Sequence, residues 1–295
     1  MSSHPDVDMV SFTGSTGAGV SVSQSAAPTI KRVTLELGGK SANVALDDSD
    51  PILVAKKAIG ACHQNSGQTC SALTRLIIPE EMNEQICEII AAKNDSYLVG
   101  NPLDETTRCG PMVSSRQQSS VTEYIQSGIN EGATLISGGL GVPDGVDKGF
   151  YVKPTIFANV TPNMRIWKEE IFGPLLPVKE YTDIDESISY VNANDKPLGL
   201  YYFGSNKSEE SHVLSRTSSG GVTVNDVLGH IQQEDLPFGG VGPSGIGSYH
   251  GEDGFKTFSN PKAIYKQVGS RFDKLLSAIR PPYKGDIEKV LKQIT

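Results

Sequence analysis

The sequence predicts an α/β fold built on a largely parallel sheet. Two observations carry this. Strand-like and helix-like stretches alternate along most of the 295 residues. The first strand ends in a glycine-rich turn that opens a helix, "MVSFTGSTGAG". The length suits one large or two modest domains. A composition of 37% hydrophobic and 20% charged residues suits a well-filled core, and 31 glycines imply tight turns or close backbone–ligand approaches.

Residues 9–14 read as a strand, and the helix after the glycines stops at Pro28. "RVTLELGG" is the second strand, with Val33, Leu35 and Leu37 on one face, so Thr34 and Glu36 take the other. "SANVALDD" is the third. Ser49, Asp50 and Pro51 open a helix whose inward stripe is Ile52, Ala55, Ile59 and Cys62. That helix runs out near Asn65–Gly67, which leaves Cys70 in a loop before the strand "TRLIIP". A helix over 80–96 turns Met82, Ile86 and Ile89 inward. Helix over 114–131, strand "ATLISGG", extended "GFYVKPTIFANV" and a short helix "NMRIWKEE" follow. Strand "LLPVKEY", helix 183–194, strand "LGLYYFG", helix 207–218 and strand "GGVTVND" complete the alternation. The glycine-dense stretch 235–260 is expected to be irregular. In the polar, amphipathic tail, Pro281 and Pro282 separate two short helical patches.

A net charge of −8 without a basic cluster argues against nucleic-acid binding, which needs concentrated Lys and Arg. Cys62, Cys70, Cys87 and Cys109 form no C-x-x-C pair, and no H-E-x-x-H occurs, so no metal site is expected. Four scattered cysteines fit a reducing, cytoplasmic setting. The N-terminus has neither the basic nor the apolar part of a signal peptide, and no apolar run approaches a membrane span.

Four short motifs carry chemistry. "GSTGAG", Gly14 to Gly19, places backbone N–H groups at a helix N-terminus, where a phosphate fits. "LELGGK" puts Glu36 at the end of a strand, where α/β folds place ligands; a salt-bridged edge glutamate is the plainer alternative. "EEIFGP" sets a carboxylate beside an aromatic before a proline turn, suited to a ribose and a planar ring. "GQTC" sets Cys70 just past a helix, as a buried filler or as a nucleophile.

Together, "FTGSTGAG", "LELGGKS", "GQTC", "EEIFGP" and "LPFGG…SG" resemble the aldehyde dehydrogenase family in order and spacing, up to about residue 265. The resemblance implies a parallel-sheet catalytic domain with a partial Rossmann-like segment at the N-terminus. It implies residues 1–37 as a remnant of the dinucleotide-binding domain and 38–235 as the catalytic domain. Residues 236–265 become a glycine-rich segment with an oligomerisation strand, and 266–295 a tail. Cys70 is then the nucleophile that attacks an aldehyde and carries a thioester, and Glu36 the base that activates water. The Cys70 amide joins an oxyanion hole. NAD or NADP is the cofactor: Gly14, Ser15, Thr16 and Gly19 lie by its pyrophosphate, Glu170 holds the nicotinamide ribose, and Leu37 and Phe172 pack on the nicotinamide side. A nucleophile in an open funnel near a helix N-terminus is expected to have a depressed thiol pKa.

Two departures accompany the resemblance. Only one strand–turn–helix precedes "RVTLELGG", where family members carry most of the cofactor sheet, so the chain reads as a fragment, or as one completed by another chain. NAD or NADP is then expected to bind it only in the millimolar range or not at all, with little or no aldehyde oxidation by the chain alone, and a cut sheet edge is expected to bring oligomerisation or marginal stability. In addition, "GQTCSALTR" and "VGNPLDETTRCGP" resemble the tetrameric branch acting on small aldehydes. "EDLPFGGVGPSGIGSYHGEDGFKTFS" and "RPPYKGDIEKVL" resemble the dimeric branch acting on fatty, aromatic and coniferyl-type aldehydes. The alternatives to aldehyde oxidation are a non-catalytic subunit and a cofactor-independent thiol esterase.

Overall fold

Strands and helices alternate as expected in a computed structural model of the chain, which describes residues 1–266, Pro281 and Lys292. Strand β1 (Met9–Thr13), helix α1 (Thr16–Ala26) and strand β2 (Arg32–Glu36) form the first unit of structure. Then come β3 (Ser41–Ala45), α2 (Pro51–His63), β4 (Leu73–Pro79), α3 (Asn83–Asp95), α4 (Ser115–Asn130), β5 (Thr134–Ser137) and β6 (Thr155–Ala158). The chain continues through α5 (Arg165–Lys168), β7 (Leu175–Tyr181), α6 (Ile184–Asn192), β8 (Gly199–Phe203), α7 (Lys207–Arg216) and β9 (Gly221–Val224). It closes with α8 (Gly229–Gln232), β10 (Gly245–Ile246) and α9 (Gly251–Thr257).

The strands form two sheets. β1 runs parallel to β2, and β10 pairs antiparallel on the other side of β2. The larger sheet has the order β5-β6-β7-β4-β3-β8-β9. Every neighbour in it is parallel except β5, which pairs antiparallel with β6. Adjacent residues of its strands feed opposite cores: Ile77, Leu175, Leu200 and Tyr202 join one cluster, while Leu76, Leu176, Tyr201 and Phe203 join the other. Helices α2 and α3 cover the second face, and α4 to α7 cover the first. A sheet buried on both faces explains why its strands read as near-continuous apolar runs.

Met1–Phe258 form one compact unit and Ser259–Thr295 a second. In the second, residues 259–266 carry no helix or strand. The two helical patches expected in the tail lie outside the described residues.

Three readings need correction. Ile52 is 59% exposed rather than inward. The buried stripe of α2 is centred on Val54, Ala58 and Cys62, and at 100° per residue Ile52 lies about 120° away from that centre. In α3 the inward phase is Met82, Ile86, Ile90, with Ile89 only partly covered. The glycine-dense stretch is not wholly irregular, since β10 and α9 fall within it. Its glycines at 245 and 247 allow close approach: a Cβ there would sit 2.3 Å from the Leu35 carbonyl oxygen or 2.4 Å from the Thr34 hydroxyl.

Candidate active site

The site lies where the two sheets offer opposite ends. β1 and β2 finish there at Thr13 and Glu36, whereas β3, β4, β7 and β8 begin there after Lys40, Cys70, Gly173 and Leu198. The small parallel pair therefore presents the strand ends at which α/β folds bind ligands, and the large sheet presents its N-terminal edge.

The link between β2 and β3 is two glycines, and each leaves room for a site residue. A Cβ on Gly38 would stand 1.8 Å from Glu170 Oε2, and one on Gly39 would stand 2.6 Å from the Cys70 carbonyl oxygen. The Gly39 N–H donates to Glu170 Oε1 at 3.2 Å. Ser244 Oγ donates to the Gly38 carbonyl at 2.8 Å, and the Leu37 N–H donates to the Ser244 carbonyl, so the glycine-dense stretch clamps this turn.

Cys70 follows an abrupt end to α2. Asn65, Ser66 and Gly67 are consecutively left-handed, at φ of 51°, 57° and 73°. Gly67 is required twice over, because a Cβ there would also lie 2.2 Å from the Gly173 carbonyl group. Gly67→Ala is therefore expected to destabilise the protein by more than about 2 kcal/mol, read as a lowered chemical-denaturation midpoint. The Ala72 N–H donates to the Thr69 carbonyl at 3.1 Å and closes a tight turn with Cys70 inside it. Upstream, His63 is pinned by its Nε2 to Asn94 Oδ1 at 2.7 Å.

The third segment runs from α5 to Pro174. The Lys40 ammonium, fully buried, donates to the Ile166 carbonyl at 2.8 Å. Arg75, also buried, donates to the carbonyls of Lys40, Tyr190 and Val191 and stacks over Trp167. Glu169 takes Arg165 and the Tyr124 hydroxyl, leaving Glu170 to turn inward. Phe172 is left-handed at φ 55°, and Gln117 Nε2 holds that turn by donating to the Ile171 and Phe172 carbonyls at 3.1 and 2.9 Å.

Gly14, Ser15, Leu37, Cys70, Glu170 and Phe172 line one cleft of about 730 Å³, within the range of small-molecule sites. Ser15 caps α1 by accepting from the Ala18 N–H. Thr16 and Gly19 do not line the cleft. Thr16 Oγ1 donates to the Pro243 carbonyl, and Gly19 packs against Leu37, whose Cδ2 lies 2.6 Å from where a Cβ would be. Glu36 lies behind the cleft wall, 4% exposed, and neither carboxylate oxygen has a hydrogen-bond partner among the described residues. The salt-bridged edge glutamate is thus not what is found.

Burial pushes the Glu36 carboxyl up to about 7, opposed only in part by the Gly240 backbone N–H from outside hydrogen-bonding geometry. Burial also raises Cys70, and the charges of Glu36 and Glu170 raise it further, against the pull of the Ser71 and Cys70 backbone N–H groups. The expected depressed thiol pKa is therefore overturned: the thiol is desolvated and feels the charges of two carboxylates. A thiol beside a buried carboxyl that titrates near neutrality can pass its proton to that carboxylate and attack a carbonyl. Iodoacetamide is accordingly expected to label Cys70 more slowly than a free thiol at pH 7.5, and still ahead of the buried Cys62 and Cys109, which peptide mapping would read.

The raised Glu36 pKa has a stability consequence. The native state keeps a proton that the unfolded chain loses above pH 4.5, so stability falls as pH rises from 4.5 to about 7. Glu36→Gln should match the parent's stability below pH 4.5 and exceed it by about 3 kcal/mol at pH 8. Thermal melts at both pH values check this.

Lys40, Arg75 and Gln117 were not singled out from the sequence. A usable signal existed for two of them: Lys40 follows two glycines at a strand start, and Arg75 interrupts the apolar run "LTRLIIP". A charge in such a run marks a buried, hydrogen-bonded cation.

The Cys70 thiol and the Glu170 carboxylate thus line one cleft where the two sheets meet, with the Glu36 carboxyl buried close by. The chain belongs to the aldehyde dehydrogenase family, whose model matches residues 1–264. It is 40% identical over 291 residues to a Caulobacter vibrioides protein named "Probable coniferyl aldehyde dehydrogenase", covering 96% of this chain and 58% of that one. It is 42% identical over 272 residues to a 3-succinoylsemialdehyde-pyridine dehydrogenase of a Pseudomonas species, covering 92% and 56%. The fold matches the crystal structure of a Cys-to-Ala variant of aldehyde dehydrogenase C from Pseudomonas syringae, bound to NAD+ and octanal. That match has a TM-score of 0.84 and 40% identity, over 88% of this chain and 53% of that one. The chain spans a little over half the length of the curated relatives it matches. Among the described residues no helix is long and apolar enough to cross a membrane.

Proposed function

We propose that this chain carries the catalytic centre for oxidation of an aldehyde to a carboxylic acid with NAD or NADP. The observation that supports it most is the convergence of Cys70, Glu36 and Glu170 at the junction of the two sheets in a chain of this family. Cys70 gives its proton to the ionised Glu36 carboxylate, which releases it to solvent before the hydrolysis step, and the sulfur forms a bond to the aldehyde carbon. The Cys70 backbone N–H faces the oxygen that gains charge. A bound nicotinamide would supply the acceptor for the hydride that leaves this carbon. Gly14 and Ser15 at the start of α1 would hold the pyrophosphate, Glu170 the ribose, and Leu37 and Phe172 the nicotinamide. Their shared cleft has the size and the mixed polar and apolar walls this needs. Cys70 then holds the acyl group as a thioester. Glu36 takes a proton from a water whose oxygen attacks the thioester carbon. The C–S bond breaks, the acid is released and the thiolate returns.

The test is NADH formation at millimolar NAD+, with and without aldehyde. Aldehyde-dependent NADH from the parent chain, lost in Cys70→Ala, is expected. Ester hydrolysis without any aldehyde-dependent NADH would instead favour the thiol esterase reading.

A further inference from the structure

Beneath the turn that carries Cys70 lies a group that the reaction above does not use. Tyr201, in β8, is fully buried, and its hydroxyl donates to the Ser71 carbonyl at 2.6 Å. Ser71 is the next residue after Cys70, and its backbone N–H pulls against the burial that raises the Cys70 thiol. Ser71 has one peptide group on each side. Its carbonyl shares a peptide plane with the Ala72 N–H, so the tyrosine hydroxyl holds the same peptide whose N–H closes the turn onto the Thr69 carbonyl at 3.1 Å.

The surroundings of the tyrosine hydroxyl are built rather than incidental. β8 begins at Gly199, and a Cβ there would lie 3.2 Å from Ser41 Oγ, 3.4 Å from Tyr201 Oη and 3.7 Å from His230 Cε1. Three polar side chains from β3, β8 and α8 thus converge where β8 has no side chain. Ser41 Oγ and His230 Nε2 are buried and have no hydrogen-bond partner among the described residues. His230 is fixed through its backbone N–H and Nδ1 to Thr223 Oγ1 on β9, and its ring lies 6.0 Å from that of Tyr201. The tyrosine ring is therefore walled in place, with its hydroxyl directed at the turn.

We propose that Tyr201 is a positioning residue for Cys70, holding in place the Thr69–Ala72 turn that carries the sulfur. The assignment rests on Cys70 as the nucleophile. Its effect is read on the thiol itself, whose other charged neighbours are Glu36 and Glu170.

The experiment is the pH profile of Cys70 alkylation by iodoacetamide in the full chain, followed by peptide mapping, in the parent, Tyr201→Phe and Tyr202→Phe. Tyr202 is the control. It is the next residue on the strand, faces the opposite core, and its buried hydroxyl has no hydrogen-bond partner among the described residues. Tyr201→Phe is expected to slow Cys70 alkylation about fivefold at pH 8 and move its midpoint to higher pH, the effect of losing one well-placed hydrogen bond. Tyr202→Phe should keep the parent profile. A Tyr201→Phe profile that coincides with the parent's would overturn the assignment. Parent Cys70 reacting no faster than Cys62 and Cys109 would instead count against the nucleophile reading. Should Tyr201→Phe fail to fold, NMR of the parent decides. A slowly exchanging Tyr201 hydroxyl proton with cross-peaks to Ser71 or Ala72 supports the assignment, and a hydroxyl in fast exchange with water overturns it.

Discussion

Cys70→Ala should abolish acylation of the protein by an activated ester, with a fall of at least about 10⁴-fold in ester turnover, as for loss of other covalent nucleophiles. The size follows from the site. Cys62 and Cys109 are buried in the core and cannot reach the cleft, while Cys87 lies on α3, with its thiol donating to Asn83 of its own helix. No other thiol can take over. The glycine cradle should survive, because Gly39 packs against the Cys70 carbonyl, which alanine keeps. Retained folding with lost chemistry, read by a thermal melt and by intact mass after ester treatment, is therefore the expected pair of results. Turnover within tenfold of the parent would remove Cys70 from the reaction.

Glu36→Gln should leave acylation of Cys70 possible and slow deacylation by about 10²- to 10⁴-fold, the usual cost of losing a general base. An acyl adduct should accumulate on Cys70. The parent's deacylation rate should rise with pH through about 7 and then level off, because only the ionised carboxylate accepts a proton and burial places its titration there. The glutamine variant should lose that inflection. The same substitution should raise stability at pH 8, as argued above, so slower deacylation in a more stable protein distinguishes a lost base from a damaged fold. Deacylation at the parent's rate would exclude Glu36 from this role.

The sheet was legible in the sequence because its strands are buried on both faces and punctuated by glycine and proline. "RLIIP", "LLPVKEY" and "LGLYYFG" announce themselves without reference to partners. The antiparallel pairing of β5 left no trace in its residues, since strand direction depends on how the chain returns from α4. The helix α9 was hidden because two of its seven residues are glycine, and its contacts override that low propensity. Within the candidate site, Cys70, Glu36, Glu170 and Phe172 stood out only because five short motifs, each weak alone, occur together in the order of one family. What surrounds them was not. The glycines of "LGGK" suggested a turn, but not that one makes room for the Glu170 carboxylate and the other for the Cys70 backbone. The thiol pKa was misjudged for the same reason: proximity to a helix end can be read locally, whereas desolvation and two carboxylates from distant segments cannot. Tyr201 looked like one more strand aromatic, and its hydrogen bond to Ser71 spans 130 residues of sequence.

The most direct measurement is a single turnover of the Glu36→Gln chain with millimolar NAD+ and an aldehyde, followed by absorbance and by mass spectrometry of the Cys70 peptide. The expected result is up to one equivalent of NADH per chain and a matching acyl group on Cys70 alone, read as a mass gain equal to the aldehyde less two hydrogens. NADH without an acyl group on Cys70, or an acyl group on another residue, would contradict it.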